Sequence, residues 1–223
     1  QSGAKQTVSL FQTSLLNPSF SVVWLQQLIF DQATCYFKWD ANKFALGFGE
    51  LNTLLTVGTQ YTNTYYTAVY PQQSQGKNQL EIGYEANSFF QTSLFNNPNL
   101  EIGDLQITTN TSFTVKQSLN FAVGMYMDGQ PILIAQGAPN TAYQFYTNNC
   151  YYLTISNYPI GSVLPPIEQI TTNNFLLGSM TTNVKKRTII TQSISKPILI
   201  DISNEQPNLS FTINENLIFQ PIS

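Results

Sequence analysis

The side chains best suited to chemistry are the two carboxylates of Glu81-Ile82-Gly83-Tyr84-Glu85. On a strand, positions four apart share a face. A carboxyl pair on one face is what glycoside hydrolysis requires, one to protonate the leaving oxygen and one to attack or to activate water. The preferred reading is plainer: solvated carboxylates on a strand. The rest of the catalytic inventory is thin. The chain has no His, which excludes Ser–His–Asp and Cys–His nucleophiles and His-ligated metals together. Two cysteines, Cys35 and Cys150, cannot build a tetrahedral thiolate site alone. They read as one disulfide, with two buried thiols as the alternative. No Gly-rich phosphate loop is present. The expectation is a protein that is not an enzyme, with no catalytic residue, no metal and no cofactor. Asn110-Thr111-Ser112 and Asn208-Leu209-Ser210 are candidate N-glycosylation sites at Asn110 and Asn208, whereas Asn17 is blocked by Pro18.

The carboxylate run resembles the Glu-Ile-Asp-x-x-Glu strand of laminarinase-type glycosidases, but Gly83 stands where the central Asp belongs and the spacing is shorter. Tyrosines form a second cluster of interest: Tyr61, Tyr65, Tyr66 and Tyr70, then Tyr143, Tyr146, Tyr151, Tyr152 and Tyr158. On a sheet, Tyr can stack on sugars or fill an interface, although core and cross-strand pairing is its commoner fate.

The 223 residues are only 9% charged, against about 25% in an ordinary soluble domain. Asn, Gln, Thr, Ser and Tyr take the place of charges and, with Phe, Val and Ile, favour strands and turns. With twelve acidic residues and no His, little titrates between neutral pH and strong acid, so the composition suits an acidic or hot exterior. A biased genome is the competing explanation. A net charge of −3 offers no footprint for nucleic acid or an anionic membrane. The basic run Lys185-Lys186-Arg187 reads as a solvated turn or a guarded sheet edge. No segment approaches the roughly 18 apolar residues of a membrane span. The start at Gln1 fits a secreted protein whose signal peptide has been removed, trimming being the alternative. The expected location is extracellular, at the cell surface.

The elements that must position these residues are strands. Segments 7–12, 21–25, 34–39, 54–57, 61–69, 104–108, 112–116, 132–135, 144–155, 187–193, 198–202 and 209–213 are predicted strands, and 26–30 is kept as one. Asn17-Pro18, Asp40-Ala41-Asn42 and Gly47-Phe48-Gly49 punctuate them. Short motifs also return in order. Ser9-Leu10-Phe11-Gln12-Thr13-Ser14-Leu15 matches Ser88-Phe89-Phe90-Gln91-Thr92-Ser93-Leu94, and Phe44-Ala45-Leu46-Gly47 matches Phe121-Ala122-Val123-Gly124. Tyr61-Thr62-Asn63 matches Tyr146-Thr147-Asn148, and Tyr70-Pro71 matches Tyr158-Pro159. The expected fold is all-β: two tandem, duplicated β-sandwich units, immunoglobulin-like or jelly-roll, with an N-terminal donor strand. Residues 1–16 form that strand, 17–87 the first unit and 88–166 the second; 167–223 are strands packing on or completing the second. A Cys35–Cys150 bond would tie the units together.

A duplicated, neutral, β-rich chain without catalytic equipment has surfaces and strand edges to offer. If the segment at Ser88 completes the first unit, its match at Ser9 is spare, free to complete the sheet of another copy by strand addition. Such head-to-tail contacts propagate an open filament. With its processed-looking start, the strand-like segment 5–16, the uncharged Asn/Thr/Tyr/Gln composition and two sequons, the chain resembles subunits of the archaeal thread filaments of thermoacidophiles. Those are extracellular, glycosylated β-protein filaments joined by donor-strand complementation. The resemblance implies a homopolymer of identical subunits with Val8, Leu10, Phe11 and Leu15 as donor residues. A capsid or turret protein of an archaeal virus built from tandem jelly rolls is the alternative, closed symmetry separating it from a filament. A secreted glycan-binding or glycosidase β-sandwich is the third reading.

Overall fold

The computed structural model describes residues 6–13, 19–29, 34–40, 43–61, 65–71, 76–85, 88–110, 120–147, 150–155 and 158–166, with the strand segments 181–183, 186–188, 198–201, 208–213 and 219–221. Among them there is no helix; the protein is all-β, as its composition requires. Strands are numbered in chain order.

A central five-stranded sheet runs β2 (Phe20–Ser21), β11 (Gln130–Gln136), β10 (Asn120–Met127), β5 (Phe44–Leu51) and β6 (Tyr65–Ala68). Its middle strand β10, NFAVGMYM, is buried on both faces from Phe121 to Met127. A continuous apolar run is what a strand covered on both sides demands. One face turns Leu46, Phe48, Phe121, Val123 and Met125 into the main core. The other lies under a cap formed by the segments around Leu55, Tyr61 and Val163. Backbone hydrogen bonds fix that cap, Gly58 N to Val163 O at 2.8 Å and Tyr61 N to Gly161 O at 2.9 Å. Residues 54–57, expected to be a strand, belong to this cap, because Leu55 supplies one buried anchor while Leu54 and Val57 stay exposed.

A four-stranded sheet packs across the main core: β12 (Ala142–Tyr146), β9 (Asp104–Thr109), β7 (Gln79–Glu85) and β8 (Ser88–Phe95). Leu80, Ile82, Tyr84, Leu105, Ile107, Tyr143 and Phe145 face inward. The third sheet is β16 (Ile198–Asp201), β13 (Cys150–Ile155), β1 (Gln6–Phe11) and β3 (Leu25–Ile29). It joins the core where Trp24 stacks on Tyr151 at 5.6 Å and meets Trp39 edge-on at 5.3 Å, with Trp24 Nε1 donating to Met127 O at 3.0 Å. Two smaller sheets complete the described strands: β14 (Thr181–Asn183) with β15 (Lys186–Thr188), and β18 (Phe219–Pro221), β17 (Asn208–Ile213) and β4 (Thr34–Lys38).

Several expectations are corrected by this topology. Residues 17–87 and 88–166 are not separate sandwiches. The central sheet mixes β2, β5 and β6 with β10 and β11, and one core cluster extends from Val8 to Leu153. The C-terminal strands are divided too, β16 pairing with β13 and β17 with β4. Matched motifs occupy unlike places: β1 is an interior strand and β8 an edge, so the repeats in sequence do not define a repeated unit. Phe44-Ala45-Leu46-Gly47 and Phe121-Ala122-Val123-Gly124 are instead antiparallel neighbours, Gly47 opposite Gly124. Gly47 lies mid-strand rather than in a turn. A Cβ there would come 2.5 Å from Tyr65 O and 2.6 Å from the Tyr126 ring, so the residue permits close ring packing. The expected 144–155 strand is two strands in different sheets, β12 and β13. Segment 26–30 is a strand, as β3. Lys186 and Arg187 lie in β15, a strand of a two-stranded sheet, which fits the sheet edge and not the turn, and 112–116 and Lys185 fall outside the described residues.

Candidate functional site: an uncharged sheet edge and a polar sheet face

The carboxylates are placed as strand alternation requires. Leu80, Ile82 and Tyr84 enter the core, leaving Glu81 and Glu85 on the outer face of the β12-β9-β7-β8 sheet. Ser93 Oγ donates to Glu81 Oε2 at 2.9 Å, while Glu85 is exposed opposite Ser88. Four residues of extended chain separate their Cα atoms by about 13 Å. No Asp fits at Gly83, whose Cβ would meet Phe90 Cζ at 2.6 Å. The likeness to a glycosidase strand therefore ends at the sequence.

Of the donor residues, Val8, Leu10 and Phe11 are buried within this same chain. β1 pairs antiparallel with β13 on one side, Leu10 opposite Leu153, and with β3 on the other, Leu10 opposite Leu25. Both backbone edges of β1 are thus used, and serving another copy would require leaving this place. Leu15 lies outside the described residues. Cys35 is on β4 opposite Phe211, and Cys150 opens β13 opposite Asp201, in two different sheets. Among the described residues no disulfide is found. Asn110 follows β9, half-buried, its N donating to Ile82 O at 3.2 Å; Thr111 and Ser112 are outside the described residues. Asn208 opens β17 opposite Lys38. Among the described residues no group of His, Cys, Asp and Glu could hold a metal, and no helix is long and apolar enough to cross a membrane.

The tyrosines divide. Tyr61, Tyr143 and Tyr151 are core, whereas Tyr65, Tyr66, Tyr70 and Tyr146 are exposed. Tyr65 and Tyr66 belong to β6, the last strand of the central sheet, with β5 its one neighbour among the described strands. Among the described strands β8 likewise ends its sheet, with β7 as its neighbour. The Tyr65 hydroxyl donates to Gln91 Oε1, and Phe48 packs against both Tyr65 and Phe89. Two sheets therefore terminate side by side on Tyr65-Tyr66-Thr67-Ala68 and Ser88-Phe89-Phe90-Gln91-Thr92-Ser93-Leu94-Phe95. Neither strand contains a charged residue or a proline, the usual protections of an open edge. The register between β7 and β8 shifts at Glu81/Ile82, leaving Thr92 as the extra, exposed residue of a bulge.

On the outer face of the same sheet the cross-strand register lines up Gln144, Gln106, Gln79 and Phe95. The next row is Ala142, Thr108, Glu81 and Ser93. Gln79 is held at both ends, donating from Nε2 to Thr108 Oγ1 at 3.2 Å and accepting from Asn97 Nδ2 at 2.7 Å. Asp104 accepts from Gln144 Nε2. Sequence reading missed this row because its members come from three strands whose pairing is non-local. The parallel β7–β9 contact in an otherwise antiparallel sheet was the least foreseeable part.

Among known proteins, a family model described as RhiA matches residues 1–194. No curated protein and no solved structure matches.

Proposed function

The chain belongs to the RhiA family, and we propose that it is a non-enzymatic β-sandwich protein that works by assembling with copies of itself outside the cell. The observation that carries this is the side of the sandwich where, among the described strands, β6 and β8 end two sheets without a charged residue or a proline. An unpaired, uncharged edge is a template for strand addition, and the exposed rings of Tyr65 and Tyr66 add apolar area beside it. The contact falls at this edge rather than at the N-terminal strand, since Val8, Leu10 and Phe11 complete their own core. The low charge and scarcity of titratable groups support an exterior setting. Two copies joined edge to edge about a twofold form a closed dimer, whereas unlike edges propagate a filament.

Sedimentation velocity and negative-stain microscopy of the purified protein at tens of micromolar test the proposal. Assemblies are expected, and Thr92→Lys, which places a charge on the exposed bulge, is expected to dissolve them with the fold intact. A wild-type protein that stays monomeric, or assemblies untouched by Thr92→Lys and by a second edge charge at Tyr66→Lys, would overturn it.

A further inference from the structure

We propose that the outer face of the β12-β9-β7-β8 sheet binds a neutral oligosaccharide through Gln144 and Gln106, with Tyr146 two residues along from Gln144, Phe95 at the far end of the row, and the buried Gln79 as the support between them. The three amides are neighbours by register across three strands. From β12 to β8 the row spans about 14 Å at the ordinary strand spacing, the reach of a short sugar chain. Gln79 is immobilised by Thr108 and Asn97. Gln106, half-buried at the centre, makes no side-chain hydrogen bond among the described residues, so both its donor and its acceptor are available. The exposed rings, Tyr146 at 39% and Phe95 at 40%, flank the amides. The Tyr146 ring rests over Gly103, where an added Cβ would lie 3.2 Å from Cε2.

Chemistry selects the occupant. A protein partner needs an apolar centre to bury, and here the centre is amide and hydroxyl. A nucleic acid or other polyanion needs cations; this face has none and carries Glu81 and Asp104. A neutral sugar offers paired hydroxyls that both donate and accept, matched by fixed amides, and apolar C–H faces for flanking rings. Gln106 and Tyr146, the two positions tested, lie on β9 and β12, away from the assembly edge, whereas Phe95 on β8 is shared with it.

The test is calorimetric titration of the purified protein with cellohexaose, laminarihexaose, mannohexaose and chitohexaose. Saturable binding of at least one is expected. Gln106→Ala should weaken it about tenfold, the loss of a hydrogen bond or two, with the thermal midpoint and the sedimentation profile unchanged. Tyr146→Ala, an exposed position, should weaken it as well. No saturable binding across the four sugars, or full affinity in both variants, would overturn the inference. The assembly proposal is read separately, from sedimentation.

Discussion

Tyr126 is fully buried in the central sheet. Its ring lies 5.4 Å from Tyr66 in a stacked arrangement and 6.4 Å from Tyr61. The hydroxyls of Tyr61 and Tyr126 are buried close enough to feel each other's charge, yet neither meets hydrogen-bond geometry. Burial therefore pushes both phenols far above their ordinary value, Tyr126 further than Tyr61. The unfolded chain releases these protons near pH 10 while the fold retains them. Stability is thus fully present below about pH 10 and falls above it, by up to about 1.4 kcal/mol per pH unit for each residue. Urea midpoints at pH 7 and pH 11 should show this decline, and Tyr126→Phe should flatten it. Because an unsatisfied buried hydroxyl costs about 1–3 kcal/mol, Tyr126→Phe should also hold or raise stability at pH 7. A clear loss there would reveal a partner for the hydroxyl. Gly47→Ala works in the opposite direction, driving a methyl against Tyr65 O and the Tyr126 ring. It should cost about 1–3 kcal/mol by overpacking, read as a lowered thermal midpoint.

β1 was legible as a strand from its near-alternating residues, but not its place. Whether a strand ends a sheet, sits inside one or serves another molecule depends on partners distant in sequence, here β13. With Leu10 fully buried between two neighbours, Leu10→Ala should destabilise by about 2–5 kcal/mol in a denaturant titration. Deleting residues 1–16 should leave a chain without cooperative unfolding or a native near-ultraviolet signal. A folded monomer surviving that deletion would restore the spare-strand reading. β5 went unseen in part because Gly47-Phe48-Gly49 carries the signature of a turn. Gly47 serves packing instead, facing Tyr126 and Tyr66 beneath the cap. The same demand, small residues on one face and large ones on the other, accounts for the likeness of Phe44-Ala45-Leu46-Gly47 to Phe121-Ala122-Val123-Gly124. They are neighbours in one sheet under one cap.

At the scale of the molecule, cohesion among the described residues is apolar and neutral. Among the described residues ion pairs are confined to Lys43 with Asp40 at 3.4 Å and Asp128 at 3.6 Å, all well exposed. The Asp40 hydrogen bond, then the charge of Asp128, raise the Lys43 pKa. Exposed pairs contribute little and are screened by salt. The thermal midpoint should therefore move by no more than about 4 °C between low salt and 1 M NaCl; a larger fall would reveal ion pairs elsewhere that hold the fold. The absence of His, the scarcity of charge, the strand-forming composition and the inward alternation of Leu80, Ile82 and Tyr84 were properties of the sequence alone. They determined an all-β protein with little catalytic equipment, because residue type and period two act locally. Tertiary structure alone decided that β1 is interior, that the halves interleave, that β6 and β8 end their sheets among the described strands, and that three glutamines from three strands form one row. Each of these is a pairing between segments far apart in the chain, set by which apolar faces can be buried together, and no local pattern encodes that choice.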